Sequence, residues 1–100
     1  MVKITWSKQA IEDIYKIQQF YSSVATNFSM KLVDQIFEKE QLIANHPEIG
    51  RIVPEVNNSS VRELIFRNFR IIYLIFDAEQ ITIVTIHESS RPLSSKSIFD

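Results

Sequence analysis

Residues 69–77 read FRIIYLIFD, an almost unbroken apolar run. A strand with one wet face alternates apolar and polar side chains. A run without that alternation is built to be covered on both faces, which places it at the centre of a sheet. VRELIF, residues 61–66, precedes it across the pair Arg67-Asn68, and QITIVTIHE, residues 80–88, follows it across a turn in DAEQ. Three strand-like runs joined by such short turns predict an antiparallel meander. A meander with apolar side chains on its faces needs a covering layer, and the earlier part of the chain has to supply it.

Residues 2–6, VKITW, alternate and read as a short first strand. Ser7 then stands where a helix N-cap belongs, with Glu12 and Asp13 near the positive end of the helix dipole. From Lys8 to about Ser22 the apolar residues Ala10, Ile14, Ile17 and Tyr21 recur at helical spacing, flanked by Ile11 and Phe20. Ser22 and Ser23 punctuate the pattern. A second helix is predicted over about residues 25–45. Phe28, Leu32, Ile36 and Ile43 form its buried stripe, widened by Val33, Phe37 and Leu42, and Lys31, Asp34, Glu38, Lys39 and Glu40 form its wet side. The short break implies an antiparallel helical hairpin. Trp6 and Tyr15 read as packing residues between helix and sheet.

Pro47 follows Asn45 and His46 and ends the second helix. Gly50, the one glycine of the chain, is predicted to take a backbone conformation that other residues resist. Residues 52–60, IVPEVNNSS, read as a polar loop, and the tail SSRPLSSKSIFD as a segment that frays or packs on a partner. The order is strand, helical hairpin, three strands. This predicts an α+β fold: an N-terminal strand and an antiparallel helical hairpin packed on a small antiparallel sheet. The other face of that sheet, or the edge where its strands end, is where Arg62, Arg70, His87 and Arg91 are expected to gather.

One hundred residues predict a single domain spanning 1–100. No apolar run approaches the roughly 20 residues that cross a bilayer. The first ten residues lack the pattern of a signal peptide, and the chain has no cysteine, so a cytoplasmic protein without disulfides is expected. Two distant histidines, His46 and His87, without cysteine do not make a zinc site, and there is no glycine-rich phosphate loop. Neither a metal nor a cofactor is expected. The formal charge of −1 argues against strong non-specific binding to nucleic acid.

Several stretches together resemble the RelE/ParE toxin superfamily of bacterial type II toxin–antitoxin pairs. ITWSKQAIEDIYKI is similar to the family's opening strand and Ser-capped helix. HPEIGRIVPE is similar to its Pro–x–x–Gly–Arg loop. VRELIFRNFRIIYLI, followed by ITIVTIHESSRP, is similar to its strand pair and closing strand. The likeness covers most of the chain. The HPEIGR loop, the long hairpin and the VREL strand look more like the ParE branch, as does the mildly acidic charge. That resemblance implies a toxin with no reaction of its own that inhibits DNA gyrase and is neutralised by a cognate antitoxin. Two alternatives stand beside it. One is a RelE-like enzyme that cuts mRNA on the ribosome, and the other is a non-toxic fold relative acting as an interaction module.

Two readings of the basic residues follow. If the chain is a nuclease, Arg62, Arg70, His87 and Arg91 are the catalytic candidates. Arg70 would hold the scissile phosphate through its planar guanidinium, and His87 would act as general acid or base. Glu88 and Tyr73 are available as helpers, although alternation puts Glu88 and His87 on opposite faces. The lysines that RelE-like nucleases use are missing, since no lysine lies between Lys39 and Lys96. If the chain is a binding protein, Arg62, Arg67, Arg70 and Arg91 form a cationic rim for an acidic antitoxin segment. The plainer readings are that Arg70 pairs with Glu63 on the neighbouring strand, that His87 bonds backbone at a strand end, and that Arg51 braces its loop.

Overall fold

The computed structural model describes residues 2–23 and 25–89. Strand β1 (Lys3–Trp6) leads into helix α1 (Lys8–Ser22), and α2 (Thr26–Asn45) follows. A two-residue strand β2 (Arg51–Ile52) precedes the meander of β3 (Val61–Phe66), β4 (Phe69–Ile75) and β5 (Gln80–Glu88). The five strands lie in the order β1-β5-β4-β3-β2, so the apolar run is central. The meander is antiparallel as expected. β1 returns beside β5 in parallel, with Lys3 opposite Gln80 and Trp6 opposite Ile83, which makes the sheet mixed.

Helix α1 starts where the sequence places it. Ser7 is extended, and its Oγ accepts the Ala10 amide at 3.0 Å. The same hydroxyl donates to the Val84 carbonyl on β5. Asp13 is expected near the positive end of the helix dipole. It instead accepts the Thr85 hydroxyl and, at 3.0 Å, the Ile86 amide. Two polar side chains thus hang α1 on β5. Their placement coincides with a bulge, at which the partner of Ile72 is Thr85 while that of Tyr73 is Ile83. At the other end of the hairpin, buried Ser29 donates to the Gln18 carbonyl at 3.0 Å and joins α2 to α1.

β4 divides its side chains between two cores. Ile71 and Tyr73 face the helices and join Ala10, Ile14, Leu32 and Ile36 in the larger cluster. Ile72 packs on the opposite face with Val53 and Val61, bordered by Val56, Leu74 and Val84. That second face is therefore not left open as expected, because the segment 53–60 folds over it. Full burial of Ile72 stabilises by roughly 1.5–3 kcal/mol relative to leaving it exposed.

Three expectations need correction. The stretch 52–60 is not wholly loop, since Ile52 pairs with Arg62 next to the Arg51–Glu63 pair. Tyr15 does not pack between layers: it is 59% exposed, and Ile11 and Phe20 are exposed as well. Gly50 has no positive φ. It is required for space, because a Cβ there would meet the Glu63 carbonyl oxygen at 2.6 Å and the Tyr73 hydroxyl at 2.7 Å. Gly50→Ala should therefore destabilise through forced displacement of the β3 backbone, by about 1–3 kcal/mol. Urea unfolding checks this: the midpoint should fall while the slope is unchanged, and an unaltered midpoint would show that the loop has room to move.

Candidate functional site

Glu63 sits in β3 with its side chain fully buried, at 0% exposure. A lone carboxylate there would be driven to neutralise, and what holds it is a pair of arginines. Arg70, one strand over, donates to it through Nε, and through Nη2 at 3.0 Å. Arg51, on the other flanking strand, donates Nε at 2.7 Å. Both arginines are placed by register. Arg51 stands opposite Glu63 across β2–β3, and Arg70 stands opposite Ile65 across β3–β4, so Arg70 and Glu63 are diagonal neighbours on one face.

Arg70 has a second carboxylate. Its outer edge, Nη1 and Nη2, meets the two Glu55 oxygens at 2.8 Å each, a bidentate fork. Glu55 belongs to the segment that covers the second core, so this pair latches that segment to β4. The Arg70 hydrogen bond is the main reason that the Glu55 carboxyl is held down to about 2, and the Glu55 bond likewise raises the Arg70 guanidinium further above its ordinary range. The Arg70 side chain is only 11% exposed. Among the described residues, no buried side-chain nitrogen or oxygen lacks a hydrogen-bond partner.

Arg62 lies on the other face, beside Tyr73 in register. Its guanidinium is turned inward onto backbone. Nε donates to the Ser59 carbonyl at 3.0 Å, and Nη1 donates to the carbonyls of Gly50 at 3.0 Å and Glu48 at 3.4 Å. Tyr73 completes the clamp on this loop. Its hydroxyl donates to the Pro47 carbonyl at 2.6 Å and accepts the Gly50 amide at 2.9 Å. Burial pushes its phenol above the ordinary value. A phenol bound on both sides of its oxygen and raised in pKa is a structural group rather than a proton shuttle.

Arg67 is placed differently. It occupies the tight turn between β3 and β4 with φ of 55°, a left-handed conformation that Asn or Gly adopts more readily. Its guanidinium carbon lies 5.5 Å from the ring centres of both Phe28 and Phe66, and Nη2 donates to Gln35 at 3.3 Å. Lys39 stands 5.2 Å from the Phe66 ring. Phe28 is also in edge contact with Tyr21, and Tyr21 with Phe20. A strip of aromatic rings, Phe20 and Phe28 exposed and Tyr21 and Phe66 partly buried, thus runs from the hairpin tip to the β3–β4 turn with cations along it.

The four arginines expected at one rim therefore do not gather there. Arg62 and Arg70 are on opposite faces and engaged internally, Arg67 is at the far turn, and Arg91 lies outside the described residues. His87 stands opposite Arg70 in the β4–β5 register, so these two are brought together. Glu88 stands opposite Phe69. The plain reading of Arg70, a partner for Glu63, matches the geometry. Glu55 was missed, although a single acid between the valines of VPEV signals a segment that is apolar on one side and anchored by charge on the other. Phe28 was placed in the buried stripe; it is instead partly exposed beneath Arg67.

Among the described residues no group of side chains could hold a metal ion, and no helix is long and apolar enough to cross a membrane. A groove of about 370 Å³ opens between β1 and the end of α2, lined by Val2, Ile4, Glu40, Gln41, Ala44 and Asn45. It has one carboxylate, Glu40, which already accepts the Trp6 indole at 3.2 Å.

A helical hairpin on a five-stranded mixed sheet, with Arg62 and Arg70 engaged in structure, defines the class: a small α+β protein. The model of the ParE toxin of type II toxin–antitoxin system, parDE, matches residues 4–93, and the chain belongs to that family. Among solved structures it is similar in fold to the chromosomal ParDE TA system from P. aeruginosa, with a TM-score of 0.73 and 21% identity over 88% of this chain and 96% of that one. No curated protein matches the chain.

The latch has a testable pH signature. Glu55 is depressed from an ordinary 4.5 to about 2 in the fold. Its contribution is therefore complete above the ordinary carboxylate range and is lost as pH falls from about 5 to about 2. The pair is partly solvated, so the effect is about 1 kcal/mol or less. Glu55→Gln should be slightly less stable at pH 7 and lose less stability across that window than the wild type. Equal acid slopes in urea titrations of the two proteins would contradict the latch.

Proposed function

We propose that residues 1–100 form one ParE-like toxin domain that inhibits DNA gyrase by binding, carries out no reaction of its own, and is held inactive by a cognate antitoxin. Its place of action would then be the cytoplasm, where gyrase works. The observation that carries this reading is the state of Arg70. A nuclease of this fold needs that guanidinium turned toward a phosphate. Here its two hydrogen-bonding edges are filled by Glu63 and Glu55. The formal charge of −1 also suits a protein partner better than a ribosomal RNA surface. Family membership supports the toxin role and the pairing with an antitoxin.

For the antitoxin we favour the strip around Arg67. Of the expected rim residues Arg62, Arg67, Arg70 and Arg91, Arg67 is the one among the described residues that holds its guanidinium over surface rings, the exposed Phe28 and the partly buried Phe66. An arginine in a left-handed turn position is kept at some conformational cost, and a contact role explains it. The floor of Phe20, Phe28 and Phe66 with Lys39 and Arg67 along it suits an amphipathic acidic segment.

Inducing the chain in a bacterial host and following labelled thymidine and methionine tests the target. Thymidine incorporation should fall first and translation should lag. Immediate arrest of translation would favour ribosome-dependent mRNA cleavage, and continued incorporation of both would favour a non-toxic interaction module. Arg67→Glu tests the antitoxin surface. It should leave growth arrest intact and weaken neutralisation roughly tenfold or more, equivalent to about 1.4 kcal/mol. Full neutralisation of that variant would move the docking site elsewhere.

A further inference from the structure

One contact of Arg70 goes beyond its pairing with Glu63. Glu63 is met by Nε and Nη2 of Arg70 and by Nε of Arg51. Yet the chain also brings Glu55 from the 53–60 segment to lie end-on against Nη1 and Nη2, at 2.8 Å on both oxygens. This is the edge that faces out of the sheet: the Glu55 side chain is 34% exposed, and the neighbouring Arg51 side chain 62%. A planar guanidinium edge with a bidentate oxyanion on it is how arginine takes phosphate as well as carboxylate. Glu55 is an acceptor-only group in the position and orientation of two phosphate oxygens.

We propose that the outer edge of Arg70, flanked by Arg51, is an oxyanion site that the chain caps with its own Glu55 carboxylate, and that inorganic phosphate or sulfate occupies it when that carboxylate is removed. Charge supports the assignment. With Glu55 present, two guanidiniums meet two carboxylates and the cluster is neutral. Without it, two guanidiniums face one carboxylate, and Glu63 remains on the inner edge through Nε and Nη2 of Arg70, away from the vacated one. His87, opposite Arg70 in register, borders the same face. Capping is effective because a tethered carboxylate competes as if present at millimolar concentration or above, so dissolved phosphate does not displace it. The cap makes the sheet face indifferent to phosphates while the fold is intact. This inference concerns a ligand site and does not depend on which target the toxin has.

The test compares the full-length wild type with Glu55→Ala and Glu55→Gln by thermal unfolding in sodium phosphate and sodium sulfate, against sodium chloride at matched ionic strength. The wild type should show only the gradual, non-saturating rise that phosphate and sulfate give folded proteins by exclusion from their surface. Glu55→Ala should show a saturable rise in midpoint with phosphate and sulfate beyond that seen with chloride, and Glu55→Ala with Arg70→Lys should lose the rise, since a lysine cannot offer the fork. Glu55→Gln, which keeps a neutral side chain in the gap, should respond less than Glu55→Ala. If Glu55→Ala is unfolded in chloride, phosphate should fold it, because a ligand that binds only the native state shifts the equilibrium toward it. The proposal is overturned if phosphate and sulfate raise Glu55→Ala no more than they raise the wild type, if they leave an unfolded variant unfolded, or if the Arg70→Lys double variant gains as much as Glu55→Ala.

Discussion

A buried glutamate is the constraint on which the rest of the structure depends. Glu63 lies inside the sheet with no exposure, and a carboxylate in that position requires cations on both flanking strands. Meeting that requirement fixes the register of β3 against β4, through Arg70, and of β3 against the two-residue β2, through Arg51. Once β2 is docked, Gly50 must pass against the Glu63 carbonyl, where no side chain fits. Arg70 in turn recruits Glu55, which draws Val53 and Val56 over Ile72 and closes the second core. One polar residue thus organises a strand, a loop and an apolar cluster that have little hydrophobic area of their own.

The helical side of the sheet is organised by a different device. Ser7, the N-cap of α1, and Asp13 within the helix reach the backbone and side chain of β5 around its bulge, while Ser29 ties α2 to α1. Small polar groups set the angles and the apolar stripe of Leu32, Ile36 and Ile43 fills the space between. The hairpin is consequently well seated along its inner face while its outer aromatics stay wet. Ile11, Tyr15, Phe20 and Met30 are all more than half exposed, which suits a protein that functions by being bound.

Much of this was legible in the chain. Helical spacing located both helices closely, since Ser7 is a strong N-cap and Pro47 a strong stop. The unbroken FRIIYLIFD run placed β4 at the centre of the sheet because no other position covers both faces. Periodicity says nothing about strand direction across a gap in sequence, so the parallel pairing of β1 with β5 was not readable. Nor was the capping of the second face, which depends on one acid, Glu55, finding one arginine 15 residues away. The pairing of Arg70 with Glu63 was readable, while the uses of Arg62 and Arg67 were not. The same residue type serves as a buried counter-ion at 70, a backbone clamp at 62 and a surface stack at 67, and only the packed neighbours tell these apart.

The direct test of the central claim is a double-mutant cycle on the Glu63–Arg70 pair by urea unfolding, using Glu63→Gln and Arg70→Met. The account predicts that Arg70→Met alone costs about 3–5 kcal/mol, because it leaves a buried carboxylate short of its counter-charge. The double variant should then cost clearly less than the two single changes added together, with a coupling of about 1 kcal/mol or more. Additive costs, or an Arg70→Met protein as stable as the wild type, would contradict it and return Arg70 to the list of residues kept for a target.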